Sequence, residues 1–296
     1  SSVDLTREKE LSDTRLVFST YPTMMNKIDN LKNEDGKFYG VGHFDLIIID
    51  EAHRSIYNRY KAIFDYFDSF IVGLTATPKH AIDHNTFEIF GCSNDDPTFQ
   101  YELAEAVQEG HLVGYKNLNI STDFLKEGIK YKQLSKKEKE KYEDTFEDKS
   151  TGLFPEMINK SALNKWLFNK DTVFKVLNTL MEHGLKIEGG DKIGRTIIFA
   201  ANQDHAKFIV DCFNEEYPNY PSGFISAIHN EVSHAQSLID SFCDKFKENN
   251  PQIAVSVDMM DTGIDAIRVL NLVFFKSVRS YAKFWQMIGR GTRLCP

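Results

Sequence analysis

The sequence predicts an α/β fold made of two domains with parallel sheets. FDLIIID (44–50) and similar apolar runs lack polar alternation and are rich in Ile, Val and Leu. Such runs are typical of parallel strands that are covered on both faces. Segments of helical length separate them, and the same alternation returns after about residue 195. The length of 296 residues fits two domains of about 150 residues each.

The first domain is predicted to contain three of these strands and two helices. RLVFST (15–20) ends at Ser-Thr-Tyr-Pro, FDLIIID (44–50) ends in acidic residues, and FIVGLTATP (70–78) ends at Thr-Ala-Thr-Pro. Proline and short polar residues are strong signals that a strand has ended. Helices are predicted between the strands at about 23–33 and 54–67, the second with an aromatic stripe.

The second domain is predicted to begin after a boundary near residue 115. KNLNIST (116–122) is a candidate strand, and a helical insertion at about 130–186 includes the charge-dense KKEKEKYEDTFEDK (136–149). The last helix of that insertion ends at Gly184, which suits a helix C-cap. Alternating strands and helices follow: strands at 196–200, 223–228, 252–257 and 269–275, and helices at about 202–216, 233–249 and 280–289.

Composition limits the function classes. The net charge is −8, so any contact with nucleic acid must come from a local groove and not from a basic protein as a whole. The four cysteines form no C-x-x-C pair, which fits a reducing cytosol and argues against a disulfide framework or zinc site. No apolar run reaches the roughly 18 residues of a membrane helix, so no membrane association is expected.

GGDKIGRT (189–196) has the spacing of a phosphate-binding loop, with Arg195 where the lysine should stand. A phosphate-binding loop follows a strand and opens a helix, whose N-terminal N–H groups point at the phosphates. Here the order is reversed, because a helix ends near Gly184 and a strand begins directly after the motif. We therefore interpret it as a polar turn that enters a strand.

The segment FDLIIIDEAH places two carboxylates at the end of a buried strand. Open α/β sheets bind ligands at that edge. Asp50 there can hold Mg²⁺ through water, and Glu51 can orient an attacking water. Ala52 and His53 complete the tetrapeptide Asp-Glu-Ala-His. This combination predicts an ATP-hydrolysing site.

TATP (75–78) follows the next predicted strand. The hydroxyl groups of Thr75 and Thr77 can link the metal-binding carboxylates to moving parts of the protein. They can equally cap a helix, and the residues alone leave both interpretations open.

Two further segments lie near the carboxyl end of the chain. In SVDMMDTGIDA (256–266), Gly263 permits close backbone approach to a ligand, and Asp265 could pair with a ribose or with an arginine. The alternative is a plain turn at a strand end. In FWQMIGRGTRL (284–294), three polar residues fall at i, i+4 and i+7, so one continuous helix would place them on one face: Gln286, Arg290 and Arg293. Arginines stabilise the charge that develops during phosphoryl transfer.

These segments, in this order, resemble the motifs of superfamily 2 helicases and translocases. DEAH, TATP, TGID and QMIGRGTR resemble motifs II, III, V and VI, RTIIFA (195–200) resembles motif IV, and STYPTMM (19–25) resembles motif Ib, an upstream DNA-contacting motif. The resemblance covers almost the whole chain. It implies two RecA-like domains with a three-layer α/β/α arrangement, the first of them truncated, with residues 1–115 and 116–296 as the two domains.

The chain more closely resembles the restriction (R) subunit of type I restriction-modification enzymes. The stretches YELAEAVQEGHLVGY (101–115), FPEMINKSALNKWLFN (154–169) and LNLVFFKSVRSYAKFWQMIGRGTRLCP (270–296) carry this resemblance. It implies an ATP-dependent motor that translocates double-stranded DNA in a complex with specificity and modification subunits, in the cytoplasm of a bacterium or archaeon. It also implies that DNA is cut by a separate nuclease domain.

The resemblance also implies a role for each matching residue. Asp50 and Glu51 match the Mg²⁺ site and the catalytic carboxylate, and Arg290 and Arg293 match the arginines that reach the γ-phosphate. Residues close to the nucleotide or coupled to it are His53, Thr75, Thr77, Gly263, Asp265 and Gln286. Those that match contacts to the DNA backbone are Ser19, Thr20 and Thr262. ATP and Mg²⁺ are the implied cofactors.

Two parts of the family pattern do not match this sequence. Motif I, the phosphate-binding loop with its lysine, is expected before STYPTMM, where 18 residues precede it and none resembles such a loop. The nuclease domain has no counterpart either. We therefore expect an internal fragment that does not hydrolyse ATP by itself. The alternatives are another superfamily 2 DNA or RNA helicase, or a piece that only binds DNA or partner subunits.

Overall fold

The computed structural model divides the chain into two compact units, Ser1–Glu102 and Leu103–Pro296. It describes residues 1–29, 32–33, 36–52, 57–75, 87, 90–92, 96–118, 129–130, 157–158, 170–247, 249–261, 263–278 and 280–295. The division falls before the boundary that the sequence predicts near residue 115. The reason is a long-range contact, because Leu112 forms an antiparallel β-bridge with Arg293 and so belongs to the second unit.

The first unit contains short strands paired two by two, with helices between them. Its elements are β1 Ser2–Asp4, β2 Leu16–Phe18, α1 Tyr21–Asp29, β3 Lys32–Asn33, β4 Gly36–Lys37, β5 Leu46–Ile49, α2 Tyr57–Tyr66 and β6 Phe70–Gly73. β1 pairs with β2 and β5 with β6, both parallel, while β3 and β4 pair antiparallel. The three predicted strands and two predicted helices of this domain are present, whereas β1, β3 and β4 were not predicted. The helix predicted at about 23–33 ends at Asp29, and β3 occupies Lys32–Asn33 within the predicted range.

One face of the β5–β6 pair is solvent-exposed, which differs from the prediction that both faces are covered. Leu46, Ile48, Phe70 and Val72 alternate along the two strands and are 43–83% exposed. Ile47, on the opposite face, packs against an apolar cluster that includes residues from α1 and α2. In the described part of this unit, helices therefore cover only one face of the pair. The apolar pattern of the two strands did not reveal that the other face is exposed.

The second unit has a four-stranded parallel sheet in the order β12 (Ile225–Ile228), β13 (Ile253–Ser256), β11 (Arg195–Ala200) and β14 (Val269–Phe275). The elements before the sheet are α3 Leu103–Gln108, β7 Ile129–Lys130, β8 Met157–Ile158, α4 Lys170–His183, β9 Lys186–Ile187 and β10 Lys192–Ile193. The sheet and its helices are β11 Arg195–Ala200, α5 Gln203–Glu216, β12 Ile225–Ile228, α6 Ala235–Cys243, β13 Ile253–Ser256, β14 Val269–Phe275 and α7 Tyr281–Ile288.

Apolar clusters cover both faces of this sheet. Along β11, Ile198 and Ala200 join a cluster with residues of α4 and α5, whereas Ile197 and Phe199 join one with residues of α6 and α7. Since all six residues of β11 are buried, its continuous apolar pattern is that of a central parallel strand. The α/β/α layering and the RecA-like fold class are confirmed in this unit.

Part of the predicted helical insertion at about 130–186 is described. Helix α4 falls within it, and the short antiparallel pair β7–β8 was not predicted. The candidate strand KNLNIST is not a strand over its described residues 116–118. The rest of these segments lies outside the described residues. Among the helices that are described, none combines the length and apolar character that crossing a bilayer requires.

GGDKIGRT enters a strand, as the sequence indicated. Its first glycines belong to the 3-10 turn Glu188–Gly190, and its arginine opens β11. The Arg195 guanidinium is buried and donates to main-chain carbonyls, at 3.1 Å to Ser241 and 3.0 Å to Lys247, and also to Phe242. It thus caps the C-terminus of α6 and holds the loop that follows. The segment is structural and is not a phosphate-binding loop.

Replacing Arg195 with methionine is expected to lower the free energy of unfolding of the second unit by about 3 kcal/mol. The change leaves several buried carbonyls without their donor, and each such loss costs about 1–3 kcal/mol. Urea denaturation of the 296-residue chain measures the effect. Arg268→Met is the control, because Arg268 is only half-buried and donates to the Lys247 carbonyl at 3.3 Å. Equal losses in the two variants would contradict the capping role.

Candidate functional site

In the first unit, the two predicted acidic residues lie at the carboxyl end of β5. Leu74, which follows β6, donates its N–H to the Ile49 carbonyl at 2.8 Å. The Leu74 carbonyl in turn accepts from the Ala52 N–H at 2.8 Å. These two bonds tie the Asp50–Glu51 turn to the start of TATP, so Thr75 lies beside the carboxylates at one sheet edge. The structure therefore brings together the two segments that the sequence placed at strand ends.

Glu51 has a backbone conformation that is rare for a residue with a side chain. Its φ is 56°, and its N–H donates to the Asp50 carboxylate at 2.9 Å. A non-glycine residue in this region costs about 1–3 kcal/mol, and such strain collects at active sites and ligand clamps. The side chain is half-buried. The turn therefore fixes the direction in which the Glu51 carboxylate leaves the backbone.

The chemistry of this turn fits Mg²⁺ bound through water. Asp50 presents a solvent-exposed carboxylate at a strand end, and hard oxygen donors with retained waters are what Mg²⁺ prefers. Three or more His, Cys, Asp or Glu side chains do not converge anywhere in the described ranges, so a metal cage made of protein alone is not seen there. Asp50 would hold the ion, with Glu51 beside it.

The predicted DNA-contacting hydroxyls of the first unit lie between β2 and α1. The Thr20 carbonyl accepts from the Met24 N–H at 3.0 Å, which makes Thr20 the residue that opens the helix. Its hydroxyl lies 3.0 Å from that of Thr23, and the Ser19 hydroxyl donates to the Thr20 carbonyl at 3.1 Å. Both side chains are exposed, as a contact to a DNA backbone requires. Three other predicted site residues lie outside the described residues: His53, Thr77 and Thr262.

In the second unit, the loop after β13 carries the predicted nucleotide residues. Gly263 has φ of 76°, a left-handed conformation that favours glycine. Asp265 is exposed and pairs with the Arg293 guanidinium and with the Lys245 ammonium, whose nitrogen is 3.0 Å away. Lys245 and Arg293 hold the pKa of the Asp265 carboxyl below its usual value. Of the two partners considered for Asp265, the structure shows the arginine.

The helix that carries Gln286 does not continue through the two arginines. It ends at Ile288, and i→i+3 hydrogen bonds follow at 3.1 Å (Arg290 to Met287) and 2.9 Å (Gly291 to Ile288). A Cβ at Gly291 would come within 3.0 Å of a Leu272 methyl group on β14, so the chain turns tightly against the sheet. The helix thus ends within a residue of the predicted 280–289, and the shared face that a continuing helix would have given Gln286, Arg290 and Arg293 does not form.

The turn nevertheless directs both arginines to the loop after β13. Arg290 is buried, and it donates to the Ile264 carbonyl and, at 3.4 Å, to the Asp261 carbonyl. Arg293 is less buried, with 31% of its side chain exposed, and it reaches Asp265. Gln286 is buried on α7. The two arginines thus differ, because one is enclosed by main-chain contacts and the other lies at the surface.

A segment far away in sequence supports this turn. The Val113 N–H donates to the Thr292 carbonyl at 2.8 Å, next to the bridge between Leu112 and Arg293. The Tyr115 ring contacts the Trp285 ring edge-on, with the ring centroids 6.5 Å apart. YELAEAVQEGHLVGY therefore helps to set the backbone that carries Arg293, a role that its sequence does not indicate.

The sequence reasoning also missed a cluster of four charged residues at the carboxyl edge of the sheet. Each of two lysine ammonium groups contacts the same two carboxylates: Lys276 and Lys283 with Asp258 and Asp261. The Lys283 hydrogen bond lowers the pKa of Asp258 to about 2. No spacing rule reveals this cluster, since its members follow β13, follow β14 and lie on α7.

Two family models match separate parts of the chain. The family model "Type III restriction enzyme, res subunit" matches residues 2–80, and "Helicase conserved C-terminal domain" matches residues 174–295. The first match includes Asp50 and Glu51, and the second includes Arg290 and Arg293.

Two curated relatives are endonuclease subunits of type I restriction enzymes from Escherichia coli. The EcoKI subunit of strain K12 is 29% identical over 86% of this chain and 23% of its own length. The EcoAI subunit is 28% identical over 85% of this chain and 30% of its own length. The chain thus spans less than a third of these relatives. A solved fragment described as an HsdR subunit of a type I restriction enzyme from Vibrio vulnificus YJ016 superposes with a TM-score of 0.66, at 20% identity, over 99% of this chain and 47% of that one.

The fold and the matched motifs define a motor region of the superfamily 2 helicases and translocases. Over most of its length, the chain is similar to the endonuclease subunits of type I restriction enzymes, and it is related to the helicase region of such subunits.

Proposed function

We propose that this region drives ATP-dependent translocation of double-stranded DNA in a type I restriction enzyme. The observation that carries the proposal is the arrangement of motifs at the ends of parallel strands. In the first unit, the Asp50–Glu51 turn is hydrogen-bonded to the start of TATP. In the second unit, Arg290 and Arg293 bind the TGID loop. Carboxylates and arginines of this kind are what ATP hydrolysis coupled to motion requires.

The role proposed for each residue follows from the chemistry of its side chain. Glu51 accepts a proton from the attacking water, and Asp50 holds Mg²⁺, which neutralises phosphate charge when it is bound. Arg293 stabilises the charge that develops on the γ-phosphate. Arg290, the second arginine expected to reach the γ-phosphate, also keeps the TGID loop in place beside it. Gly263, Asp265 and Gln286 lie close to the nucleotide, together with His53. Thr75 and Thr77 link the carboxylates to conformational change.

The DNA contacts are proposed for hydroxyl groups, which suit a phosphate backbone read without sequence preference. Ser19 and Thr20 are exposed at the start of α1, and Thr262 belongs to the TGID segment. Recognition of a specific sequence would come from the specificity subunit, methylation from the modification subunit, and cleavage from a separate nuclease domain. The site of action proposed for such a complex is the cytoplasm of a bacterium or archaeon.

ATP hydrolysis and triplex displacement by the full-length protein, assembled with its partner subunits, test this proposal. We expect linear duplex DNA to stimulate ATP turnover, and a triplex-forming strand placed on intact duplex to be displaced as the motor advances. Displacement should cease without ATP. Strand separation on forked substrates without displacement on intact duplex would favour another superfamily 2 helicase. DNA binding without any ATP turnover would favour a binding module and contradict the motor.

A further inference from the structure

Asp261 is held by both its main chain and its side chain. Its carbonyl accepts from the Arg290 guanidinium at 3.4 Å. Its side chain is 2% exposed and lies 2.9 Å from each of two ammonium groups, those of Lys276 and Lys283. Since Lys283 lies on α7 and Lys276 follows β14, Asp261 joins the TGID loop to three points of the C-terminal segment.

Each of the two lysines contacts one buried carboxylate, that of Asp261, and one exposed carboxylate, that of Asp258. Lys283 lies 2.7 Å from Asp258 and Lys276 lies 3.3 Å from it, while 69% of the Asp258 side chain is exposed. Burial disfavours the charged form of Lys283, but hydrogen bonds to Asp258 and Asp261 outweigh it and raise its pKa. Lys276 is 10% exposed. Asp261 and Lys276 are nearly enclosed, and a buried charge is costly unless it is paired, so removal of either one leaves the other without its counter-charge.

One oxygen of Asp261 has unused hydrogen-bonding capacity. All four ammonium contacts of the cluster use Oδ2 of Asp261 or Oδ1 of Asp258. Oδ1 of Asp261 is buried and has no hydrogen-bond partner among the described residues. A buried unsatisfied carboxylate oxygen is rare and costs stability. Asp261 therefore keeps one acceptor oxygen that the two lysines do not use.

Asp261 also directly precedes Thr262 in sequence. The proposed DNA contact is the hydroxyl of Thr262, and the arginine contact is the carbonyl of Asp261, which accepts from Arg290. The two contacts therefore belong to consecutive residues. A displacement of the Thr262 backbone must move the Asp261 carbonyl to which Arg290 is bonded. The lysine pair holds Asp261 against such movement and so fixes the carbonyl to which Arg290 donates.

We propose that Asp261, held by Lys276 and Lys283, is a positioning residue that transmits DNA engagement to the arginines of the ATPase. This inference rests on the proposed motor function. A charged cluster that lies outside the DEAH, TATP, TGID and GRGTR residues then links two of these motifs, TGID and GRGTR. In this arrangement, Arg290 contacts Asp261 in addition to Ile264 of the TGID loop, and Lys283 holds α7 to Asp261.

The test is the ratio of DNA-stimulated to basal ATP turnover in the full-length protein. Asp261→Asn keeps the side-chain shape but removes the charge that holds the lysines. We expect the ratio to fall about tenfold, within the range of typical allosteric coupling, while the affinity for duplex DNA stays the same. Asp240→Asn is the matched control, because Asp240 is exposed on α6 and accepts from Gln236 at 2.9 Å. It should keep the wild-type ratio.

Lys283→Met provides an independent measurement if Asp261→Asn does not fold. Its side chain is 38% exposed, so the protein should tolerate the change. We expect a smaller drop in the ratio, and the double variant should resemble Asp261→Asn, because both changes act through one cluster. A wild-type ratio in the folded single variants, or strictly additive effects, would overturn the inference while leaving the motor function intact. Absence of DNA-stimulated turnover in the wild-type protein would instead refute the proposed function.

Discussion

Replacing Glu51 with glutamine is expected to reduce the ATP turnover of the full-length protein about a hundredfold or more, the usual contribution of a positioned general base. The strained turn at φ of 56° places this side chain, and glutamine keeps its shape but cannot accept the proton of the attacking water. ATP binding should persist, since the substitution removes neither a phosphate contact nor Asp50. A coupled ATPase assay at saturating ATP, with duplex DNA, measures the loss.

The control for this variant is Glu8→Gln, an exposed glutamate of the same unit. It removes the same charge at a distance from the Asp50–Glu51 turn, so its turnover should equal that of the wild-type protein. Fluorescent nucleotide binding distinguishes a lost chemical step from a lost site. If Glu51→Gln turned over ATP at the wild-type rate, Glu51 would not be the catalytic carboxylate, and the positive φ would need another explanation.

Arg293→Ala is expected to lower ATP turnover by about a thousandfold, the effect seen when an arginine that stabilises phosphoryl transfer is removed. The thermal midpoint should change little. Arg293 is partly exposed, and its ion pair with Asp265 is of a kind worth at most about 1 kcal/mol. DNA binding should remain, because no DNA contact is assigned to Arg293. Arg293→Lys should not restore turnover, since lysine lacks the planar donor fork.

Two companion variants separate catalysis from support of the loop. Lys245→Ala removes the other partner of Asp265 and leaves Arg293 in place, so its turnover should be close to wild type. Arg290→Ala should lower both stability and turnover, because the buried guanidinium donates to the carbonyls of Asp261 and Ile264. Wild-type turnover in Arg293→Ala would contradict its assignment, and equal unfolding midpoints for Arg290→Ala and wild type would contradict the supporting role of Arg290.

The predicted elements that matched most closely are those whose pattern is local. β11, β13 and β14 were predicted within a residue or so of their observed bounds, because a fully buried parallel strand is apolar at every position. The helix predicted at about 233–249 instead ends at Cys243. The Asp244 side chain accepts from two N–H groups of the following turn, and Arg195 caps the helix from the sheet. That cap joins residues 46 positions apart, and no local pattern encodes it.

The candidate site likewise combines features that follow from local sequence with contacts that depend on the tertiary structure. The sequence predicted Asp50 and Glu51 and the segments with Asp265 and Arg293, because short motifs at strand ends keep their order along the chain. A continuing helix would have placed the arginines on one face, but the helix ends at Ile288, and Gly291 then lies close against Leu272. The sequence also missed the lysine–aspartate cluster around Asp261, whose members approach one another only because β13, β14 and α7 meet at one sheet edge.

The sequence by itself determined the α/β class, the positions of the motor motifs and the structural character of GGDKIGRT. These follow from hydrophobic periodicity and from residue order, which are properties of consecutive residues. The tertiary structure alone decided that the compact units divide at Glu102 and that Arg195 caps α6. It also decided that two lysines contact the Asp261 side chain and that an arginine donates to its carbonyl. Each of these depends on which strands are neighbours in the sheet. Strand order brings distant residues within hydrogen-bonding distance, and it is a property of the folded chain as a whole.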